Sequence, residues 1–169
     1  GSDFLAEVCE RWESEASAAT ELGVRVVNVR IGVVVSPKGG ALAKMMLPFK
    51  LGLGGIVGPG TQYWSWVGLN DLTRILALCV ADDSLSGPVN AVSPETTTNK
   101  EFTKAVGNAL HRPTIFPLPG FIAKLMLGEM ATTLLLASTR VVPKQLQAHG
   151  FKFEQPELMD CLHHELQCS

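Results

Sequence analysis

Few side chains in this sequence are both able to do chemistry and placed where chemistry is done. Arg30 is the first. It lies near the carboxyl end of VRVVNVRIGVVV (24–35), a β-branched, almost continuously apolar run. Such a run reads as a strand buried on both faces, as in a parallel sheet. Ligands of open α/β sheets bind outside the carboxyl ends of the strands. A planar guanidinium there suits a phosphate or carboxylate, or else an ion pair at the sheet edge. Trp64 and Trp66 flank Ser65 and so share one strand face. They are either core or a wall on which a flat ring of a ligand stacks.

Other familiar chemistries are excluded by spacing. The single tyrosine, Tyr63, has Val67 rather than a lysine four residues on. His111, His149, His163 and His164 form no nucleophile–base arrangement and read as solvated. Cys9, Cys79, Cys161 and Cys168 lack a C-x-x-C, so neither a metal site nor a disulfide framework is expected, and reduced cytoplasmic thiols are. Gly52-Leu53-Gly54 resembles the opening of a dinucleotide fingerprint. It follows a helix, however, leads through Pro59 into a strand, and has Val57 where the third glycine belongs. The glycine-rich stretch 52–60 is instead a connection or a loop over a ligand.

The elements that position these residues alternate. A helix capped by Ser2 or Asp3 runs to about Leu22, with Phe4, Val8 and Trp12 on its apolar stripe and Gly23 as its stop. After the 24–35 strand comes the loop SPKGG (36–40), then a helix over 41–51 that Pro48 should kink or end. A strand over 63–69 precedes a helix capped by Asn70 or Asp71 and running to about Ala81. A strand follows at 89–92. Thr98 with Glu101 makes a capping box for a helix from Asn99 to about His111. Arg112 to Pro119 is extended and Pro-punctuated. Helical stretches follow at 121–127 and 129–138, then a short helix opened by Pro143 and stopped by Gly150. A short strand over 151–153 and a last helix after Pro156 complete the pattern. The class is α/β. One central-type strand cannot make a sheet alone, so the 169 residues read as the C-terminal part of a larger α/β domain.

Composition narrows the partners. There are 14 Lys and Arg against 16 Asp and Glu, a net charge of −2 with no basic block, which excludes a nucleic-acid footprint. Charged residues make up only 18%, below the roughly 25% of ordinary soluble domains. No apolar run approaches the roughly 20 residues of a membrane span.

Several blocks together resemble a known family. These are DFLAEVCERWE (3–13), VRIGVVVSPKGGALAKMMLPFKLGLGG (29–55), SWVGLNDL (65–72), NKEFTKAVGNALHRP (99–113) and LMLGEM (125–130). Their order and spacing resemble an atypical branch of the extended short-chain dehydrogenase/reductases, commonly called nucleoside-diphosphate-sugar epimerase family proteins. The resemblance implies a C-terminal half, with residues 1–92 the end of a Rossmann-like domain and 93–169 a small, mostly helical C-terminal domain. The Gly-rich phosphate loop would lie in a missing N-terminal half, and NADP or NAD would be held mainly there. It further implies that Arg30 approaches the cofactor and that Lys38, Gln62, Trp64 and Trp66 line a pocket for a small-molecule substrate. Two departures stand out. Gly68 and Asn70 replace a histidine and an acid of the family's SWIHIDDL. The first helix offers Phe4/Val8 or Leu5/Cys9 where extended members carry their Tyr/Lys pair, so catalytic residues stay unassigned. Three functions remain open: the substrate-binding half of an NAD(P)-dependent oxidoreductase or epimerase-like protein acting on a sugar nucleotide or small carbonyl compound, a dinucleotide-binding protein without turnover, and an interaction module.

Overall fold

The computed structural model describes residues 4–115 and 136–167. The expected caps Ser2 and Asp3, the 121–127 helix and most of the 129–138 helix lie outside them.

Helix α1 spans Phe4–Ser17 and tightens into a 3-10 turn over Ala18–Leu22. Gly23, in the left-handed region at φ 75°, closes it and lets the chain reverse. The apolar stripe of α1 is solvent-facing, with Phe4 77% and Trp12 71% exposed.

The expected single strand over 24–35 is two strands, β1 (Val27–Ile31) and β2 (Val33–Val35), broken at Gly32. The break has a physical cause. β1 pairs in parallel with β5 (Gly87–Ala91), whereas β2 pairs in parallel with β4 (Trp66–Gly68). Gly32 is the point of exchange: its N–H donates to the Ala91 carbonyl, and the next N–H, of Val33, donates to Ser65. A Cβ at Gly32 would sit 2.6 Å from the Ser65 oxygen and 2.9 Å from Val92 Cγ1, so only glycine fits.

Helix α2 (Gly40–Lys50) follows β2 and helix α3 (Leu69–Ala81) joins β4 to β5. Pro48 lies inside α2, but only two helical residues follow it, so the lost N–H costs one bond at the end of the helix. The strand expected over 63–69 breaks at Ser65 into β3 (Tyr63–Trp64) and β4. β3 pairs antiparallel with β6 (Thr97–Thr98).

Two apolar clusters lie on opposite faces of β2 and β4. Val35 and Trp66 join Leu42, Phe49, Trp64 and Phe102 in the first. Val67 joins Ile75, Leu85, Val89 and Leu146 in the second, with Val34 against it. This period-2 alternation is what a strand buried on both faces requires. Helix α4 (Asn99–Ala109) brings Phe102, Ala105 and Val106 to the first cluster. Helix α6 (Leu158–Gln167) adds Leu158, Cys161 and Leu162, while the short α5 (Lys144–Ala148) sends Leu146 to the second. No strand forms over 151–153. The Phe151 N–H closes the turn after α5 on the Leu146 carbonyl, and Phe151 and Phe153 pack edge to face at 4.9 Å.

The capping box is present in full. Thr98 Oγ1 accepts from the Glu101 N–H at 3.3 Å, and Glu101 Oε2 accepts from the Thr98 N–H at 2.7 Å. The Thr98 backbone bond, then its hydroxyl, hold the Glu101 carboxyl below its usual value of 4.5. Thr98→Ala is expected to cost about 1 kcal/mol in urea unfolding. A depressed carboxylate pKa stabilises the fold above the unfolded-state value and loses that effect as pH falls through the folded value. The urea midpoint of the parent therefore drops as pH falls below about 4.5, and the part of the drop due to Glu101 is smaller in the Thr98→Ala variant.

Candidate functional site

Arg30 is the penultimate residue of β1 and stands opposite Asn90 of β5, near the carboxyl ends of two parallel strands. Its side chain is 54% exposed. Helix α1 returns over the strand and sets Glu13 against it. Arg30 Nε donates to Glu13 Oε1 at 2.7 Å and Nη2 donates to Oε2 at 2.6 Å, a side-on bidentate pair. The hydrogen bond from Arg30 lowers the Glu13 pKa, and the same bond raises that of Arg30. The pair occupies the Nε–H and one Nη2 proton. The Nη1 protons and the second Nη2 proton have no hydrogen-bond partner among the described residues.

Lys38 is exposed in the turn between β2 and α2, where its backbone N–H donates to Ser36 Oγ at 3.3 Å. Gln62 is buried beneath the glycine-rich loop. Its Nε2 donates to the Val57 carbonyl at 2.9 Å, and its backbone carbonyl accepts from the Asn99 N–H at 2.8 Å. Asn99 Oδ1 accepts the Val57 N–H in turn, at 2.9 Å, so the loop is stitched to the start of α4. Trp64 is buried against Phe102, with ring centroids 5.2 Å apart. Trp66 is wholly buried in the same cluster, although β3 and β4 part between the two. Ser65, at the break, donates to the Thr139 carbonyl at 2.7 Å and accepts from the Val141 N–H at 2.9 Å. Gln62, Trp64 and Trp66 thus belong to one block under α4. Arg30 belongs to the β1–α1 edge and Lys38 to the β2–α2 turn.

Position 71 differs from its expected role. Helix α3 begins on Gly68 with no side-chain cap. Asp71 is buried and turns toward the C-terminal segment. Its Oδ1 accepts from Arg74 Nη1 at 2.7 Å and from the Glu154 N–H at 3.0 Å, and its Oδ2 accepts from the Gln155 N–H at 3.0 Å. The departure at Gly68 is also built in. A Cβ there would lie 2.7 Å from Gln155 Oε1 and 2.8 Å from Cys161 Sγ, so these two side chains hold the space a larger residue would need. Burial pushes the Cys161 thiol up to about 12, with Glu165 and Asp71 adding to it, so it is no nucleophile. His149 is not simply solvated: its Nδ1 lies 3.1 Å from Asp82 Oδ2, linking the ends of α5 and α3. Among the described residues no three His, Cys, Asp or Glu side chains could hold a metal ion, and no helix is long and apolar enough to cross a membrane.

Residues 118–165 match the family model described as a domain of unknown function, DUF1731. The chain is 43% identical over 162 residues to an epimerase family protein of Mycobacterium bovis, covering 96% of this chain and 54% of that protein. Among solved structures it resembles the human epimerase family protein SDR39U1 (isoform 2) with NADPH, at 37% identity and a TM-score of 0.80 over 85% of this chain and 49% of that one. It also resembles a nucleoside-diphosphate sugar epimerase from Corynebacterium glutamicum, at 34% identity and a TM-score of 0.76, over 98% of this chain and 31% of that one. The chain spans about half the length of the curated relatives it matches, the share expected of a C-terminal half. Its α/β layering is that of the Rossmann-like epimerase structures it matches, and nearly the whole chain is similar to about half the length of proteins named epimerase family proteins.

Proposed function

We propose that this chain is the substrate-binding half of a cytoplasmic NAD(P)-dependent oxidoreductase or epimerase-like protein whose substrate is a sugar nucleotide or small carbonyl compound. The observation that carries this reading is the likeness, at 37% identity, to a relative solved with NADPH. The chain's own geometry fits such a cofactor. Arg30 offers N–H groups that no described residue takes, at the carboxyl ends of β1 and β5, where open α/β sheets take their ligands. A bound nicotinamide supplies or accepts the hydride. Arg30 then orients it by hydrogen bonding, and residues 1–92 end the Rossmann-like domain while 93–169 form the helical C-terminal unit. Lys38, in the turn after β2, reaches the substrate as the exposed cation. Gln62, Trp64 and Trp66 support the pocket from beneath, as buried side chains. The remaining half of the protein covers the α1 stripe of Phe4 and Trp12.

A second reading, dinucleotide binding without turnover, is favoured by α1. Phe4 and Val8, or Leu5 and Cys9, stand where a Tyr/Lys pair would relay a proton. The full-length protein separates the two. NADPH is expected to bind it with measurable fluorescence change, and Arg30→Ala to weaken binding about tenfold or more, as for a lost hydrogen bond from a charged donor. NADPH oxidation across a panel of sugar nucleotides and carbonyl compounds supports the first reading. Binding with no oxidation by any of them supports the second, and no binding at all removes both.

A further inference from the structure

The edge that Arg30 leaves open also says what kind of group it meets. This inference rests on the reading above, in which Arg30 touches the bound cofactor. Glu13 sits on the guanidinium through two bonds of 2.7 and 2.6 Å, so the pair carries no net charge. Glu13 reaches Arg30 from α1, and Cys9 lies one turn before it on the same helix. From the sheet side the register partner is Asn90, which is neutral. Among the described residues, no second cation is paired with Glu13.

An anion approaching the open edge therefore meets a dipole rather than a charge. With the anion about 4 Å from the guanidinium and about 7 Å from the carboxylate, the inverse-distance law cancels roughly four-sevenths of the attraction. The anion must also give up its water to enter. A neutral oxygen acceptor pays far less desolvation, and hydrogen bonding to a charge-assisted N–H still favours it. The end-on edge is planar and offers two N–H groups side by side, a shape that accepts a carbonyl or a pair of hydroxyl oxygens.

We infer that Arg30, held by Glu13, reads a neutral oxygen of its ligand, such as an amide carbonyl or a sugar hydroxyl, and not a phosphate or carboxylate.

The test uses full-length protein and NADPH, with the dissociation constant measured over a series of NaCl concentrations for the parent, Glu13→Gln, Arg30→Gln, and the Glu13→Gln/Arg30→Gln double variant. The double variant removes the guanidinium without changing the net charge of the edge. The expected result is an affinity about tenfold weaker in the double variant with a salt slope parallel to that of the parent, because the phosphates are held elsewhere and screening acts on them alike in both proteins. Glu13→Gln alone is expected to bind within about twofold of the parent. The inference is overturned if the double variant has a flatter salt slope, or if Glu13→Gln tightens NADPH several-fold, since either shows Arg30 gripping an anion. If Arg30→Gln and the double variant both bind as the parent does, the cofactor role of Arg30 itself fails. That outcome is distinct, because it leaves no affinity change to assign.

Discussion

Asp71→Ala is expected to lower the unfolding free energy by about 3 kcal/mol, because it strips the acceptors from three donors at once. Asp71 is 1% exposed. Its carboxylate takes the Glu154 and Gln155 backbone N–H groups at 3.0 Å each, besides Arg74 Nη1 at 2.7 Å. The Gln155 N–H is buried, so it finds no water when the carboxylate is removed. Leaving a buried donor unmade costs the full desolvation of that group, about 1–3 kcal/mol. For a chain of this size a loss of about 3 kcal/mol corresponds to a fall of roughly 6–12 °C in Tm. Asp71→Asn keeps one carbonyl oxygen and is expected to lose about half as much. Urea unfolding of the two variants checks the ordering. A loss below about 1 kcal/mol in Asp71→Ala would mean that Asp71 acts only on the dipole of α3, as a surface acid in a first helical turn does. Asn70→Ala is the contrast: its amide meets Glu154 at the surface, and little change is expected.

Asp71 also shows where sequence reading runs out. The residue types predict a helix cap, and an acid in the first turn of an apolar helix is good evidence for that. The partners that claim it stand at 154 and 155, far along the chain. Local signals survive folding. The Thr98–Glu101 box closes over four consecutive residues and forms as read. The apolar run 24–35 does enter parallel sheet pairing. Its division at Gly32 depends on Ser65 and Val92, which nothing within the run announces. The same holds at the strand end. Arg30 is legible as a cation at a carboxyl end, but Glu13 is not, because the helix carrying it reads as amphipathic whichever way it folds back. Likewise Trp64 and Trp66 share a face by alternation alone. That Phe102 covers Trp64 follows only once α4 is in place.

Trp66 separates packing from binding most sharply. Its side chain is wholly buried among Val35, Phe102, Leu158, Cys161 and Leu162. Trp66→Ala removes an indole from that cluster and leaves a cavity that β4, fixed by its register to β2, cannot close. The expected cost is about 3–5 kcal/mol, in the range of Trp and Phe truncations in other cores. Trp66→Phe is expected to behave differently. The Trp66 Nε1–H is buried without a hydrogen-bond partner among the described residues. Phenylalanine keeps most of the ring and discards that donor, whose burial costs about 1–3 kcal/mol. The lost volume and the relieved donor act in opposite senses, so Trp66→Phe should unfold within about 1 kcal/mol of the parent. Urea midpoints of the two variants, read beside NADPH affinity in the full-length protein, give two separable results. A large stability loss in Trp66→Ala, a small one in Trp66→Phe and unchanged NADPH affinity in Trp66→Phe place the indole in the core. Near-parent stability in Trp66→Ala with weakened ligand binding would make it a wall of the site. The burial of the ring on every side argues for the first, because a side chain already enclosed by Val35, Phe102 and α6 has no face left on which a ligand can stack.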